Sequence, residues 1–191
     1  MSDSLTQRLN EILPKITSKD FLSGKGLGNE IAFYIFDYPP EKEPRIRDHI
    51  KFLLAHIPKH NQDLRVRHVN LFDLVVDYLK ERNLLDKSLR KQKEQGDEAL
   101  WKALKSPLKA EKLVQVFAKA ARPESQDLVL VSGVGSVWPL VRSHSLLNNL
   151  QTVMGQTPLV MFYPGHYDGQ TLRLFGKVKS NHYYRAFRLI T

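Results

Sequence analysis

Residues 127–151 join an apolar segment, a glycine-containing bend and a helical pattern, and this order restricts the fold more than any other feature of the chain. The apolar segment, residues 128–131, is bounded by turn-forming residues, as in a strand that is covered on both faces in a parallel sheet. Gly133 and Gly135 permit a close backbone turn, and Pro139 suits the first turn of a helix. The segment therefore predicts a strand, a tight turn and a helix, a junction where open α/β sheets bind ligands.

Three other segments predict further strands. Residues 31–37 and 158–163 are almost continuously apolar, which is typical of central strands, whereas residues 64–70 are more polar and indicate a position nearer to a sheet edge. An amphipathic helix is predicted after the first of these strands and is expected to end at Pro58. Its apolar stripe consists of Ile46, Ile50, Leu53, Leu54 and Ile57.

Residues 71–121 carry helical patterns only, so they predict a helical insertion, with Asn70 as the cap of its first helix. Near the C-terminus, apolar and basic residues alternate over residues 172–174 and 183–189, which predicts an antiparallel pair of edge strands. The whole pattern predicts an α/β fold. We expect a three-layer Rossmann-like sandwich with a mostly parallel central sheet and right-handed crossovers.

The length and composition favour one domain, which we expect to span residues 1–191. The chain contains no cysteine, which excludes disulfides, thiolate metal sites and a cysteine nucleophile. Its first residues lack the pattern of a secretory signal, and no apolar run approaches the roughly 20 residues of a membrane helix. We therefore expect a cytoplasmic protein that does not contact a membrane.

The formal charge of +9 favours an acidic partner such as nucleic acid. Much of the excess lies near the C-terminus, where no acidic residue occurs from Thr171 onward. No known nucleic-acid-binding motif accompanies this charge, so a generally basic surface is the alternative. The candidate nucleic-acid-binding residues are Arg173, Lys177, Lys179, Arg185 and Arg188.

The bend after the central strand is a candidate site for an anion or a nucleotide. Gly133, Gly135 and Ser136 would present backbone N–H groups at the start of a helix, and Arg142 would add positive charge. The alternative is a bend that only packs tightly. The lysine of a Walker loop is missing, which disfavours ATP hydrolysis of that type, and the bend is not a nucleophile elbow.

Polar residues at the strand ends and on the helix after the bend form a second candidate, a polar cleft made of Asp37, Asn70, His144, Tyr163 and Asp168. Structural alternatives are a strand end for Asp37, a helix surface that contacts a neighbour for His144, and a turn for Asp168. His166 and Asp168 supply only two metal ligands without a third at fixed spacing. We therefore predict no metal, no cofactor and no catalytic set.

Several motifs occur in a fixed order along nearly the whole chain. They read GLGNEI at residues 26–31, FDYPP at 36–40, VNLFD at 69–73, GVGSVWPLVRSH at 133–144, FYPGHYDGQ at 162–170 and LRLFG at 172–176. In this order they resemble the BrxB family of bacteriophage-exclusion (BREX) defence systems.

The resemblance implies a small subunit that works beside a PglZ-like protein of the alkaline phosphatase superfamily, an adenine-specific DNA methyltransferase, a large ATPase and a Lon-like protease homologue. Those companions already supply methylation and nucleotide hydrolysis. We therefore expect a non-catalytic adaptor that binds the PglZ-like subunit. The alternatives are a degenerate nucleotide-binding domain, or a DNA-binding subunit that uses its basic surface.

Overall fold

The computed structural model describes residues 4–23, 32–179 and 186–190, except for the side chains of Ser143, His144 and Lys179. Its strands are β1 (Phe33–Tyr38), β2 (Val66–Asn70), β3 (Leu128–Ser132), β4 (Leu159–Tyr167), β5 (Leu172–Leu174), β6 (Val178–Lys179) and β7 (Phe187–Arg188). Its helices are α1 (Ser4–Ile16), α2 (Lys19–Leu22), α3 (Glu43–His60), α4 (Leu71–Glu81), α5 (Leu85–Leu104), α6 (Ala110–Ala121) and α7 (Ser143–Met154).

The main sheet has the strand order β2-β3-β4-β1-β7, and its neighbouring strands are all parallel. Helix α3 leads from β1 to β2 on one face, whereas α4 to α7 connect β2 to β3 and β3 to β4 on the other. Crossovers that run in opposite directions on opposite faces have the same hand. The predicted Rossmann-like sandwich is therefore confirmed, with the helical insertion inside the connection from β2 to β3.

The apolar side chains divide into two cores, one on each face of the sheet. One core contains the inward side chains of α4, α6 and α7, and the other those of α1 and α3. In α3 the predicted stripe is buried at Ile46, Ile50, Leu53 and Ile57, but Leu54 is 36% exposed, and the helix continues through Pro58 to His60. No helix in the described part of the chain is long and apolar enough to cross a membrane.

The helix after β3 begins at Ser143 and not at Pro139, so this part of the sequence prediction is wrong. Residues 134–141 form successive turns, in which the N–H of Ser136 donates to the carbonyl of Gly133 at 3.2 Å. Val134, Val137 and Val141 are buried in the core, which holds these turns against the sheet. These three valines are therefore anchors of a long loop.

The C-terminal strands differ in part from the prediction. Strand β5 pairs antiparallel with both β4 and β6, as the alternating pattern indicated. Strand β7, however, pairs in parallel with β1, at the opposite side of β4. The hydroxyl of Tyr167 in β4 donates to the carbonyl of Ala186 at 2.6 Å, which holds the chain in place just before β7.

Gly133 lies at a close approach between neighbouring segments, and its φ is +74°. A Cβ at this position would lie 2.3 Å from Oδ1 of Asn70. Gly176 has a similar φ of +68°, but no atom lies within 4 Å of its Cβ position. An alanine at Gly176 would therefore experience backbone strain alone, whereas an alanine at Gly133 would also overlap with Asn70.

We expect Gly176→Ala to lower the free energy of unfolding by about 1 kcal/mol, because only the backbone conformation is strained. Gly133→Ala should lower it by about 3 kcal/mol, because the methyl group also displaces the Asn70 amide. Urea denaturation followed by circular dichroism measures both values. Equal losses would mean that Asn70 moves aside at little cost.

Candidate functional site

The four parallel strands β1 to β4 end at one rim of the sheet, and this rim is the candidate site. The register pairs Asp37 with Tyr163, and Asn70 with Ser132, so these residues lie at or next to the carboxyl ends of the parallel pairings of β1 with β4 and of β2 with β3. Ligands of open α/β sheets bind outside such strand ends. The contacts of each side chain determine whether it is available to a ligand or holds the fold together.

The carboxylate of Asp37 is buried, and protein groups occupy both of its oxygens. Oδ1 accepts a hydrogen bond from Nη2 of Arg8 at 2.7 Å, and Oδ2 accepts one from the backbone N–H of Tyr167 at 3.0 Å. The Arg8 guanidinium also lies over the ring of Phe36, 4.7 Å from its centroid. Nδ1 of the exposed His166 lies 3.4 Å from Oδ2. Asp37 therefore joins α1 to the ends of β1 and β4.

Asn70 caps α4, as the sequence predicted. Its Oδ1 accepts hydrogen bonds from the N–H groups of Phe72 at 2.9 Å and Asp73 at 3.4 Å. The same oxygen occupies the space beside Gly133, and a Cβ on Gly135 would meet Phe175 at 2.9 Å and Pro164 at 3.0 Å. The glycines therefore let the bend pack closely on its neighbours.

The sequence grouped these glycines with Ser136 and Arg142 as one anion site. In the structure Ser136 is exposed in the bend, whereas Arg142 lies at the start of α7 and lines a separate cavity. The glycine bend does not open a helix, because α7 begins only at Ser143. Anion binding at the bend itself stays a prediction.

Two further members of the predicted cleft have structural contacts. Tyr163 is 1% exposed and lies in the core on the α4 and α6 side of the sheet. The carboxylate of Asp168 accepts hydrogen bonds from the N–H groups of Gln170 at 2.8 Å and Thr171 at 2.6 Å, and from the Thr171 hydroxyl at 2.6 Å. These bonds hold the pKa of Asp168 well below its usual range. The side chain of His144 is outside the described residues.

The predicted basic tail is exposed at each residue whose side chain the structure describes, namely Arg173 in β5, Lys177 in the turn after it, and Arg188 in β7. The guanidinium of Arg188 also donates a hydrogen bond to the carbonyl of Tyr167. Arg185 and the side chain of Lys179 lie outside the described residues. Arg188 therefore connects β7 to β4.

The sequence did not reveal a hydrogen bond between His68 and Ser132, which joins Nε2 to Oγ at 2.8 Å. The two residues are far apart in sequence and meet because β2 and β3 are neighbours. Such a pair resembles the first half of an activated nucleophile, but Ser132 is only 5% exposed. Burial lowers the pKa of the His68 imidazole, Asp73 opposes that change, and Arg67 adds to it.

A cavity of about 690 Å³ lies near this rim. We call it the basic cavity. The end of α5, the connection from α5 to α6, the start of α6, the loop before α7 and the first turns of α7 form its wall. Its charged side chains are Lys105, Lys109, Glu111 and Arg142, and its aromatic side chain is Trp101. The described residues contain no cluster of three or more histidines and carboxylates that could hold a metal ion.

We expect Asp37→Asn to lower the free energy of unfolding by about 2 kcal/mol, because Arg8 loses its buried ion-pair partner and an amide N–H faces other donors. Asp48→Asn is the matched control. Its pair with Lys51 is 3.0 Å long but highly exposed, so the loss should be at most about 0.5 kcal/mol. Chemical denaturation measures both variants, and similar losses would contradict a structural role for Asp37.

The lowered pKa of His68 also predicts a pH dependence. The folded protein binds a proton at His68 less readily than the unfolded chain, whose imidazole has a pKa of about 6.5. Stability should therefore fall as the pH is lowered through that value, and His68→Gln should make the decline between pH 7 and pH 5 shallower. His60→Gln, on the exposed end of α3, is the control, and an unchanged slope in His68→Gln would refute the effect.

Comparisons with known proteins identify the relatives of this chain. The family model described as "BREX protein BrxB" matches residues 67–189. A protein of Bacillus cereus (strain H3081.97), described as "BREX protein BrxB", is 42% identical over 190 residues, which are 97% of each chain. A protein of Escherichia coli O9:H4 (strain HS) with the same description is 43% identical over 186 residues, which are 97% of this chain and 92% of the relative.

No solved structure matches the chain. The relatives are similar over almost their full lengths, so the match includes the sheet, the helical insertion and the rim. The resemblance that the ordered motifs suggested is thereby confirmed. The chain belongs to the BrxB family of BREX proteins.

Proposed function

We propose that this chain is a non-catalytic assembly subunit of a BREX antiphage defence system and that it binds the PglZ-like subunit. Its membership of the BrxB family supports a role within a BREX system. The adaptor role is favoured by the rim, where the polar groups serve the fold and aromatic side chains remain exposed.

The polar groups of the rim are engaged in internal contacts. Asp37 binds Arg8 and the backbone of Tyr167, Asn70 caps α4, and Ser132 is buried against His68. An acid, a base or a nucleophile must reach a reacting atom in a substrate. These side chains instead hold strands and helices together, which favours binding over catalysis.

Exposed aromatic side chains carry the proposal. Trp138 is 42% exposed and Phe72 is 47% exposed. Trp138 packs edge-on against the half-buried Phe175, with the ring centroids 6.0 Å apart. We call Phe72, Trp138 and Phe175 the aromatic rim. Large aromatic side chains are enriched where protein interfaces gain most of their binding energy.

The glycine bend connects the members of the aromatic rim. At one end, Gly133 approaches the backbone N of Leu71, next to Phe72. At the other end, Gly135 packs on Phe175, which Trp138 covers. The bend therefore contacts the segment beside Phe72 through Gly133 and the ring of Phe175 through Gly135. Exposed aromatic side chains on neighbouring segments suit a protein partner.

The test is size-exclusion chromatography with light scattering on this protein mixed with the PglZ-like subunit. A stable complex is expected without ATP or DNA. Trp138→Ser and Phe72→Ser should each weaken it at least about tenfold, because an interface loses an aromatic anchor. Titration of the labelled chain with the PglZ-like subunit gives the affinities.

Phe52→Ser is the matched control. Phe52 is also 42% exposed, but it lies on α3, which covers the opposite face of the sheet. The Phe52→Ser variant should bind the PglZ-like subunit as tightly as the natural protein does. A loss of binding in Phe52→Ser alone would move the interface to α3, and the absence of any complex would refute the adaptor.

Direct DNA binding is the second candidate, because Arg173 and Lys177 are exposed on a chain of net charge +9. A complex with the PglZ-like subunit that forms only with duplex DNA would favour this alternative. Its stability should then fall steeply as the salt concentration rises.

A further inference from the structure

The basic cavity does not include the glycine bend, but residues 139–142, which follow the bend in the same loop, form part of its wall. Pro139 and Arg142 line one side, and Trp101 and Lys109 line the other. Its volume of about 690 Å³ lies within the range that small-molecule sites occupy. It is also near the carboxyl ends of the parallel strands, because α6 and α7 run antiparallel to β3 and begin at that edge.

The cavity wall is strongly cationic. Lys105, Lys109 and Arg142 point to an anionic ligand, and Glu111 is the single acidic residue among the lining side chains. Within the described part of the chain, Lys109 and Arg142 form no ion pair. Neither α6 nor α7 has a side-chain cap among the described residues, so their first N–H groups add positive potential to that of the side chains.

Uncharged groups of the wall suit a planar ring. The indole of Trp101 is 37% exposed at the cavity, and Nζ of Lys105 lies 5.5 Å from its ring centroid. The exposed Asn148 contributes an amide, which is able to pair with the polar edge of a base. A surface that binds only simple anions requires neither an indole nor an amide. An indole beside several cations is the combination that binds both parts of a nucleotide.

We propose that the basic cavity binds a nucleoside di- or triphosphate, with the phosphates among Lys105, Lys109 and Arg142 and the base against Trp101. This site is additional to the proposed adaptor function and does not depend on it. It contains Arg142 from the anion site that the sequence predicted, but the glycine bend is not part of it. Binding requires no reaction of the nucleotide.

The probe is ADP, with pyrophosphate as a probe for the phosphate contacts alone. The chain has two tryptophans, so Trp138→Phe leaves Trp101 as the only indole. Titration of this variant with ADP should change its fluorescence in a saturable manner. Isothermal titration calorimetry of the natural chain should give the same dissociation constant.

Substitutions should separate the two parts of the ligand. Lys109→Gln and Arg142→Gln should each weaken the binding of ADP and of pyrophosphate about tenfold, because a charged partner of phosphate is lost. Trp101→Ala should weaken the binding of ADP but not that of pyrophosphate. Lys112→Gln is the matched control, because Lys112 is exposed on α6 outside the cavity wall.

Several results would overturn the proposal. They are a lack of saturable ADP binding by the natural chain, an equal loss of affinity in Lys112→Gln and Lys109→Gln, and an affinity for pyrophosphate that equals that for ADP. Binding of duplex DNA without binding of ADP, abolished by Arg142→Gln, would instead assign the cavity to a phosphate backbone. The complex with the PglZ-like subunit is measured without nucleotide, so failure of one proposal does not affect the other.

Discussion

The structure depends on the burial of β3 and β4 on both faces. Leu128 to Val131 in β3 and Leu159 to Phe162 in β4 are completely inaccessible to solvent. Burial of this kind requires helices above and below the sheet, and parallel strands require each helix to return the chain to the start of the next strand. The carboxyl ends of β1 to β4 and the starts of α4, α6 and α7 therefore lie at one rim.

That rim contains most of the polar residues that the sequence suggested as ligand-binding residues. In the structure these residues stabilise the crowded strand ends. Asp37 holds α1 and β4, Asn70 holds α4 and fills the space beside Gly133, and Asp168 shapes a turn. The surface that remains for partners is of a different kind, since it consists of aromatic rings and of a basic cavity farther along the loop.

Local patterns predicted the fold well. The apolar segments of β1, β3 and β4, the cap at Asn70 and the helical insertion all follow from periodicity and turn chemistry in adjacent residues. The start of α7 could not be predicted in this way, because buried valines in a loop resemble the apolar face of a helix. The parallel pairing of β7 is equally hidden, because a strand of two residues has no usable period.

The site was less predictable, because it is formed by residues that are distant in sequence and local patterns do not show which of them meet. The hydrogen bond between His68 and Ser132 requires knowledge of which strands are neighbours. Trp101 lies near the end of α5 and Lys105 directly follows that helix, and only packing of the insertion against α7 brings them near Arg142. Arg142 itself was identified, because it follows the bend closely in sequence.

The buried anchors of the long loop also affect how the cavity behaves. On the side of the loop, Val137 and Val141 are fixed in the core, and on the opposite side Leu104 and Leu108 are fixed in the same core. Both walls are thus attached to one rigid interior, and the packing of α6 on α7 sets the distance between them. A molecule that enters meets a concavity whose backbone is already in place, so its association restricts the lining side chains and loses little backbone entropy of the protein.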